Sequence, residues 1–283
     1  HILEKTIGKK RVRKIRPSDV EHYKILRLNT PVEIQVNEIT VDPRKKRKIK
    51  VKKTVTRPRK IASVNRELEL LRAMLNFAKA EGLIVTSPFD HGTKLISSAA
   101  EVERDRVLTA EEEIRLLDAC GKRRTHIRPL IMVAVDTAMR RGELFKLRWA
   151  DVNLPMRQVT IRAENAKTER MRMVGLTARS AAELQILWDK SPKDLDRLVF
   201  GITSTVKNAW KSICEDCGIY DLRFHDLRHT ATTRLIRAGV PASEVMKITG
   251  HTQMKTFLRY LNLTNESVAA SASMLDSYLE NQG

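Results

Sequence analysis

No run of apolar residues in this chain approaches the ~20 that a membrane-spanning helix needs, so a soluble protein without a membrane partner is expected. Cysteine is nearly absent. Three in 283 residues is an odd number that cannot build a disulfide framework, and the expectation is a reducing, cytoplasmic compartment. Cys214 and Cys217 form one C-x-x-C, but a tetrahedral zinc site needs four ligands and there is no second pair. Acidic residues are also short: 34 Asp and Glu against 53 Lys and Arg leave a formal charge of +19. That excess is the electrostatic footprint of a chain that neutralises many phosphates, so the expected partner is nucleic acid. It is uneven, since residues 1–60 hold 20 basic against 6 acidic side chains while residues 61–283 hold 33 against 28. The chain also opens at His1 without Met, from which a preceding segment is expected.

The organisation expected is mainly α with small β elements, in two domains. Ser18 with Glu21 three residues on reads as a capping box that opens a helix to about Leu28. Residues 32–57 then alternate apolar and polar on both sides of Asp42-Pro43-Arg44, the pattern of a β-hairpin. Its second strand is studded with Lys45, Lys46, Arg47, Lys48, Lys50, Lys52 and Lys53, and Ile49, Val51 and Val55 keep the period of two. Such a strand is either a solvated charged edge or a surface that contacts phosphates; the overall charge favours DNA contact. Apolar side chains at Val64, Leu68, Leu71, Leu75 and Ala78 form a helical stripe closed by Gly82, with Arg66 as a further DNA-contact candidate. Periodicity fails over 94–105, which is expected to be the linker. Thr109 and Glu112 restart the pattern as a second capping box, so the larger domain spans 106–263, followed by an amphipathic tail over 264–283. Within that domain "LIMVAVDTAMRRGELFKL" reads as an apolar helix running into Arg140, Arg141 and Glu143. "RQVTIR" and "RMRMVGL" read as strands with Lys167 at the turn between them.

One stretch, "FHDLRHT", raises a choice. His225 and His229 stand one helical turn apart with Asp226 between them, the spacing of a zinc-protease motif. Arg228 argues against a cation there, because a guanidinium suits an oxyanion instead. Arg140, Lys167, His225, Arg228, His251 and Tyr260 each have an ordinary explanation when taken singly. Together they are the set that phosphoryl transfer without a metal requires. Paired guanidiniums can hold the non-bridging oxygens, a tyrosine can attack, a lysine can protonate the leaving oxygen, and histidines can bond the phosphate or handle the tyrosine proton.

"TAMRRGELFKLRW", "HDLRHTATTRLIRAG" and "TGHTQMKTFLRY" resemble the three signature boxes of the tyrosine recombinase, or phage integrase, family. The resemblance places the family's first arginine on Arg140 with Glu143 as its acidic neighbour, its H-x-x-R on His225 and Arg228, its next histidine on His251 and its nucleophile on Tyr260. The β-turn lysine falls on Lys167, and His229 is expected to be a packing or supporting residue. What the resemblance implies is a site-specific DNA recombinase with a helical core-binding domain (1–93, carrying the hairpin at about 32–57) and a catalytic domain. Such an enzyme cleaves and rejoins double-stranded attachment-site DNA through a 3′-phosphotyrosyl bond, with neither metal nor cofactor. It works as a homo-tetramer, and the tail would dock on a neighbouring protomer. Two rivals are a type IB topoisomerase-like enzyme, which shares the chemistry, and a catalytically silent DNA-binding accessory protein, which would lack one of the six residues. Ala138, where many members have Gly, and Phe257, three before the tyrosine, depart from the usual pattern.

Overall fold

The computed structural model describes residues 6–41, 48–90, 94–97, 99, 101, 104–121, 124–166, 169–261 and 265–280. It is mainly helical, with small antiparallel sheets, and divides into two compact units, His1–Arg104 and Asp105–Gly283.

In the first unit, helices α1 (Pro17–Asn29) and α2 (Ile61–Ala80) bracket an antiparallel hairpin of β1 (Val32–Val41) and β2 (Lys48–Arg57). Ser18 and Glu21 do not form the expected capping box. Pro17, with φ preset and no N–H to leave unpaired, takes the first helical position. The side chain that closes the first turn is therefore Asp19, which accepts from the Arg16 N–H at 3.0 Å. The α2 stripe is as expected: Val64, Leu68, Leu71, Leu75 and Ala78 are buried, and Gly82 takes a φ of +70° past the helix end. Val20 and Tyr23 of α1 pack on that stripe. A half-buried network ties the two helices together, with Tyr23 donating to Glu67 at 2.7 Å and Arg27 pairing with the same carboxylate at 2.5 Å. Within the segment expected as a linker, Leu95 is buried in this core and the Ser97 carbonyl accepts from Asn65 at 3.1 Å.

The hairpin pairs Val32 with Arg57 and Val41 with Lys48, which puts Lys48, Lys50 and Lys52 at alternate positions of one ribbon face. Lys53 is exposed, as is Arg66 on α2; Lys45, Lys46 and Arg47 lie outside the described residues. The ribbon is a two-stranded sheet. Such a ribbon is marginal in water without something to lie on.

The second unit is built around α4 (Arg128–Thr137), whose residues from Pro129 to Val135 are all buried. It packs against α3 (Ala110–Ala119), α6 (Ala178–Asp189) and α8 (Asp226–Arg237). The Thr109–Glu112 capping box is present in both directions. The apolar helix expected through residue 147 is broken, however. Thr137 turns its hydroxyl back onto the Val133 carbonyl, Ala138 adopts φ +55°, and a separate helix α5 (Arg141–Lys146) follows. A three-stranded sheet of β3 (Val152–Asn153), β4 (Gln158–Ile161) and β5 (Arg172–Gly175) pairs Ile161 with Arg172. Lys167, between β4 and β5 in sequence, lies outside the described residues. Beyond α7 (Lys207–Asp216) and α8 come α9 (Ala242–Thr249), the short α10 (Met254–Phe257), a 3-10 turn over Leu258–Tyr260, and α11 (Asn265–Glu280). Along α11, Met274, Leu275, Tyr278 and Leu279 are exposed.

An alanine at φ +55° costs about 1–2 kcal/mol relative to a right-handed conformation, and Ala138 is fully buried. Ala138→Val, which puts a β-branched side chain at that φ with no solvent to expand into, is expected to destabilise the fold by about 2–3 kcal/mol. Ala138→Gly is expected to be neutral or slightly stabilising. Urea unfolding of the two variants checks the order.

Candidate active site

Four segments meet here. The break after α4 presents Arg140, β5 presents Arg172, the first turn of α8 presents Arg228 and His229, and the stretch after α9 presents His251 and Tyr260. Each is held by local chemistry. Glu143, in the first turn of α5, accepts from the Arg140 N–H at 2.8 Å and from its guanidinium at 3.0 Å. The same buried carboxylate accepts from Arg172 at 2.6 Å. Burial alone would raise the Glu143 pKa, but the hydrogen bond and charge of Arg172, then the Arg140 bonds, hold it below the usual carboxylate range. It is an anion that fixes two cations. Arg140 also donates to the Gly250 carbonyl at 2.8 Å, and Arg172 to the Ile248 carbonyl at 2.8 Å. Gly250 is required twice over. Its φ is +70°, and a Cβ there would meet Arg140 and Arg172 at 3.2 Å.

α8 starts where Asp226 accepts from the Arg223 N–H at 2.8 Å, so Asp226 is spent on the helix terminus. Arg228 is only 4% exposed and bridges two otherwise orphaned carbonyls, Ala138 at 2.6 Å and Thr249 at 2.7 Å. Burial, then the like charge of Arg140, pushes its pKa down to about 9, which leaves it cationic at neutral pH. His251 bonds Thr249 Oγ1 through Nδ1 at 2.7 Å and turns Nε2 toward Arg228 at 3.4 Å. Burial and then the Arg228 charge push the His251 pKa down to about 4. The ring is therefore neutral, and its tautomer follows the Thr249 contact. Buried Phe257 lies 5.5 Å from both the His251 and Tyr260 rings, so this departure from the family pattern wedges the turn that carries the tyrosine.

Tyr260 Oη lies 2.5 Å from His229 Nδ1. His229, expected to be a packing or supporting residue, is thus in direct contact with the hydroxyl: the 3-10 turn carries Tyr260 over the first turn of α8. Burial, then the Arg259 charge, drives the His229 pKa down to about 4. Arg259 lies 2.6 and 2.8 Å from the two ring nitrogens and 5.1 Å from the Tyr260 ring centroid. His225, more exposed, meets the His229 ring edge-on at 5.3 Å; partial desolvation and then Arg228 lower its pKa.

The structure therefore gathers Arg140, Glu143, His225, Arg228, His229, His251 and Tyr260 in one place and adds Arg172 and Arg259. The signals for these two were present but unselective: Arg259 adjoins the tyrosine, while alternation puts Arg170 and Arg172 on one strand face without choosing between them. Lys167 lies outside the described residues. Among the described residues no group of three or more His, Cys, Asp or Glu is placed to hold a metal ion, and none of the helices described is long and apolar enough to cross a membrane.

Fold and site together define a class: a helical domain in which arginines and histidines from distant segments surround one tyrosine hydroxyl. The family model described as "Phage integrase family" matches residues 106–267, and the chain belongs to that family. It is 34% identical over 204 residues to the shufflon-specific DNA recombinase of Escherichia coli, covering 71% of this chain and 51% of that protein. To the integrase of Salmonella phage P22 it is 26% identical over 235 residues, covering 78% and 59%. The chain thus spans little more than half the length of these two relatives. The Tn1549 transposon integrase, solved in complex with circular intermediate DNA, shares the fold at a TM-score of 0.69 and 17% identity, over 96% of this chain and 89% of that one.

Proposed function

We propose that the chain is a site-specific DNA recombinase that cleaves and rejoins double-stranded DNA through a phosphotyrosine on Tyr260, in the integration and excision of a mobile element. The observation that carries this reading is the convergence of Arg140, Arg228, His251 and Tyr260 from segments up to 120 residues apart in sequence. A phosphodiester seated between the two guanidiniums has its growing charge met by fixed cations that need not reorganise. Tyr260 attacks phosphorus, the 5′ oxygen leaves, and Lys167 at the β4–β5 turn supplies its proton. The freed 5′-OH of another strand reverses the step, so the bond energy is conserved without ATP. Unit 1 is the core-binding domain and unit 2 the catalytic domain. Four copies assemble on two duplexes, with the exposed apolar residues of α11 covered by a neighbour.

The test is incubation with duplex DNA nicked beside the scissile phosphate, in which the short fragment diffuses away and traps an SDS-resistant adduct. Strand exchange between two such duplexes separates a recombinase from a type IB topoisomerase-like enzyme, which would only relax supercoils. A silent accessory protein would give no adduct. One of these sequence relatives is named a DNA recombinase and the other an integrase, which favours strand exchange.

The hairpin offers an independent expectation. With Lys48, Lys50 and Lys52 on one ribbon face along DNA, changing all three to Gln should weaken binding to every sequence alike. The slope of log K against log salt should flatten by up to ~0.9 for each phosphate no longer neutralised. Fluorescence anisotropy over a salt series measures it. An unchanged slope would assign the ribbon to solvent or to a neighbouring protomer.

A further inference from the structure

We propose that Arg172 is a positioning residue for cleavage: from β5 it holds Glu143, and through that carboxylate the Arg140 guanidinium, while a second bond holds the turn that carries His251. This rests on the reading of Tyr260 as the nucleophile and of Arg140 and His251 as groups that face the phosphate. The bonds form a closed circuit. Arg172 Nη2 donates to Glu143 Oε2 at 2.6 Å, and Glu143 accepts from the Arg140 N–H at 2.8 Å and from Arg140 Nη1 at 3.0 Å. Arg140 Nη2 then donates to the Gly250 carbonyl at 2.8 Å, and two residues back along the chain the Ile248 carbonyl accepts from Arg172 Nε at 2.8 Å. One side chain on a strand thus ties the start of α5 to the end of α9, and Arg140 and His251 lie on the two segments it joins.

The link is made by a cation although a cation is costly there. The Arg172 side chain is only 9% exposed, and its Nη1 is buried without a hydrogen-bond acceptor, close to Arg140 Nη1 over the bare Cα of Gly250. An unpaired buried donor lowers stability, and so do two like charges side by side. A neutral side chain would fill the space without either cost, so what the guanidinium adds is its hold on the charge of Glu143. Ionised, that carboxylate accepts from all three donors. Protonated, one of its oxygens becomes a donor, and the Arg140 guanidinium, 21% exposed, is the freer of the two to swing away. The charged groups facing Glu143 are Arg140 from the chain before α5, Arg172 from β5 and Arg228 from α8. On α5 itself Arg141 lies over the Phe145 ring and Lys146 is exposed, while Glu164, on the turn after β4, is paired with Arg162. Burial raises the Glu143 pKa, and the hydrogen bond and then the charge of Arg172 are the largest opposing effects. Without Arg172 that pKa moves up, so Glu143 loses its charge, and Arg140 its anchor, as pH falls through the raised value.

The experiment uses the full chain and a nicked duplex recovered by binding from a random-sequence pool, with DNA affinity and single-turnover adduct formation measured across pH. Arg172→Met, which keeps the unbranched apolar stem and removes the charge, should bind the duplex as wild type does and form adduct ~100-fold more slowly near neutral pH. Its rate relative to wild type should rise with pH as Glu143 ionises, a dependence that a packing defect would not produce. Glu143→Gln, which cannot titrate, should be slow at every pH, and adding Arg172→Met to it should slow it little further, because the two act through one link. Arg172→Lys, which keeps a cation beside Glu143, should retain part of the rate with the pH dependence of wild type, and it carries the test if the methionine variant does not fold. An Arg172→Met rate within a few-fold of wild type, a slow rate whose pH profile matches wild type, losses that multiply in the double variant, or an inactive but folded Arg172→Lys each overturns the assignment while leaving the recombinase reading intact. Absence of any adduct from wild type overturns that reading and the assignment with it.

Discussion

Tyr260→Phe is expected to bind DNA as wild type does and to form no covalent adduct at all. The substitution removes one oxygen and leaves the ring that Phe257 and Arg259 contact, so the turn carrying it should keep its place. The hydrogen bond to His229 that disappears contributes about 0.5–1.5 kcal/mol to stability, which thermal unfolding would register as a small change. The catalytic effect is of another order, because among the described residues no other hydroxyl is placed against His229 Nδ1 and Arg259. Tyr220 stands in a different segment, after α7, and is largely exposed; Tyr23 is buried in the other unit, bonded to Glu67. Denaturing electrophoresis of the nicked-duplex reaction gives the answer directly. A persistent adduct in the Phe variant would remove Tyr260 from its role.

How much of this could be read from the chain itself differs from element to element. The α2 stripe and the Thr109–Glu112 box were legible because each is a local pattern whose partner lies within one or two turns. The Ser18–Glu21 pattern does not cap the helix because Pro17 precedes it: the fixed φ of proline moves the N-cap two residues back, from Ser18 to Arg16, and capping passes to Asp19. The break at Ala138 was not legible, since apolar residues continue through it without a change of period. What requires the break is non-local, for the Ala138 carbonyl is turned to Arg228, 90 residues away in sequence.

The site shows the same division. Arg140, Arg228, His251 and Tyr260 stand out as motif positions, and the fold brings them together: each guanidinium is anchored on a carbonyl or on Glu143 and still presents further N–H groups. The place of His229 was not recoverable. Its i+4 spacing from His225 predicts a shared helix face, but only the folding of the segment after α9 brings Tyr260 over that face. Arg172 is a clearer case still. Nothing in "RMRMVGL" marks it until the fold sets it against Glu143, where it becomes the second cation holding that carboxylate ionised.

Arg228→Lys is expected to keep the charge and lose the activity. The guanidinium donates at once to the Ala138 and Thr249 carbonyls and, from Nη2, reaches toward His251, which only a planar fork with five N–H groups can do while still facing a phosphate. A lysine ammonium has three. If it satisfies the two buried carbonyls it has little left for substrate, and if it turns to substrate it leaves a buried acceptor unpaired at about 1–3 kcal/mol. The expected result is a fall in single-turnover adduct formation of about 10²–10³-fold, the loss typical of removing one fixed donor from a charged transition state. DNA affinity should change little, because most of it comes from phosphates contacted elsewhere. Arg228→Ala should be worse for the fold but similar for the chemistry. Retention of activity within about tenfold in the lysine variant, a change of ~1.4 kcal/mol in barrier, would mean that charge alone suffices and that the paired geometry has no part in the reaction.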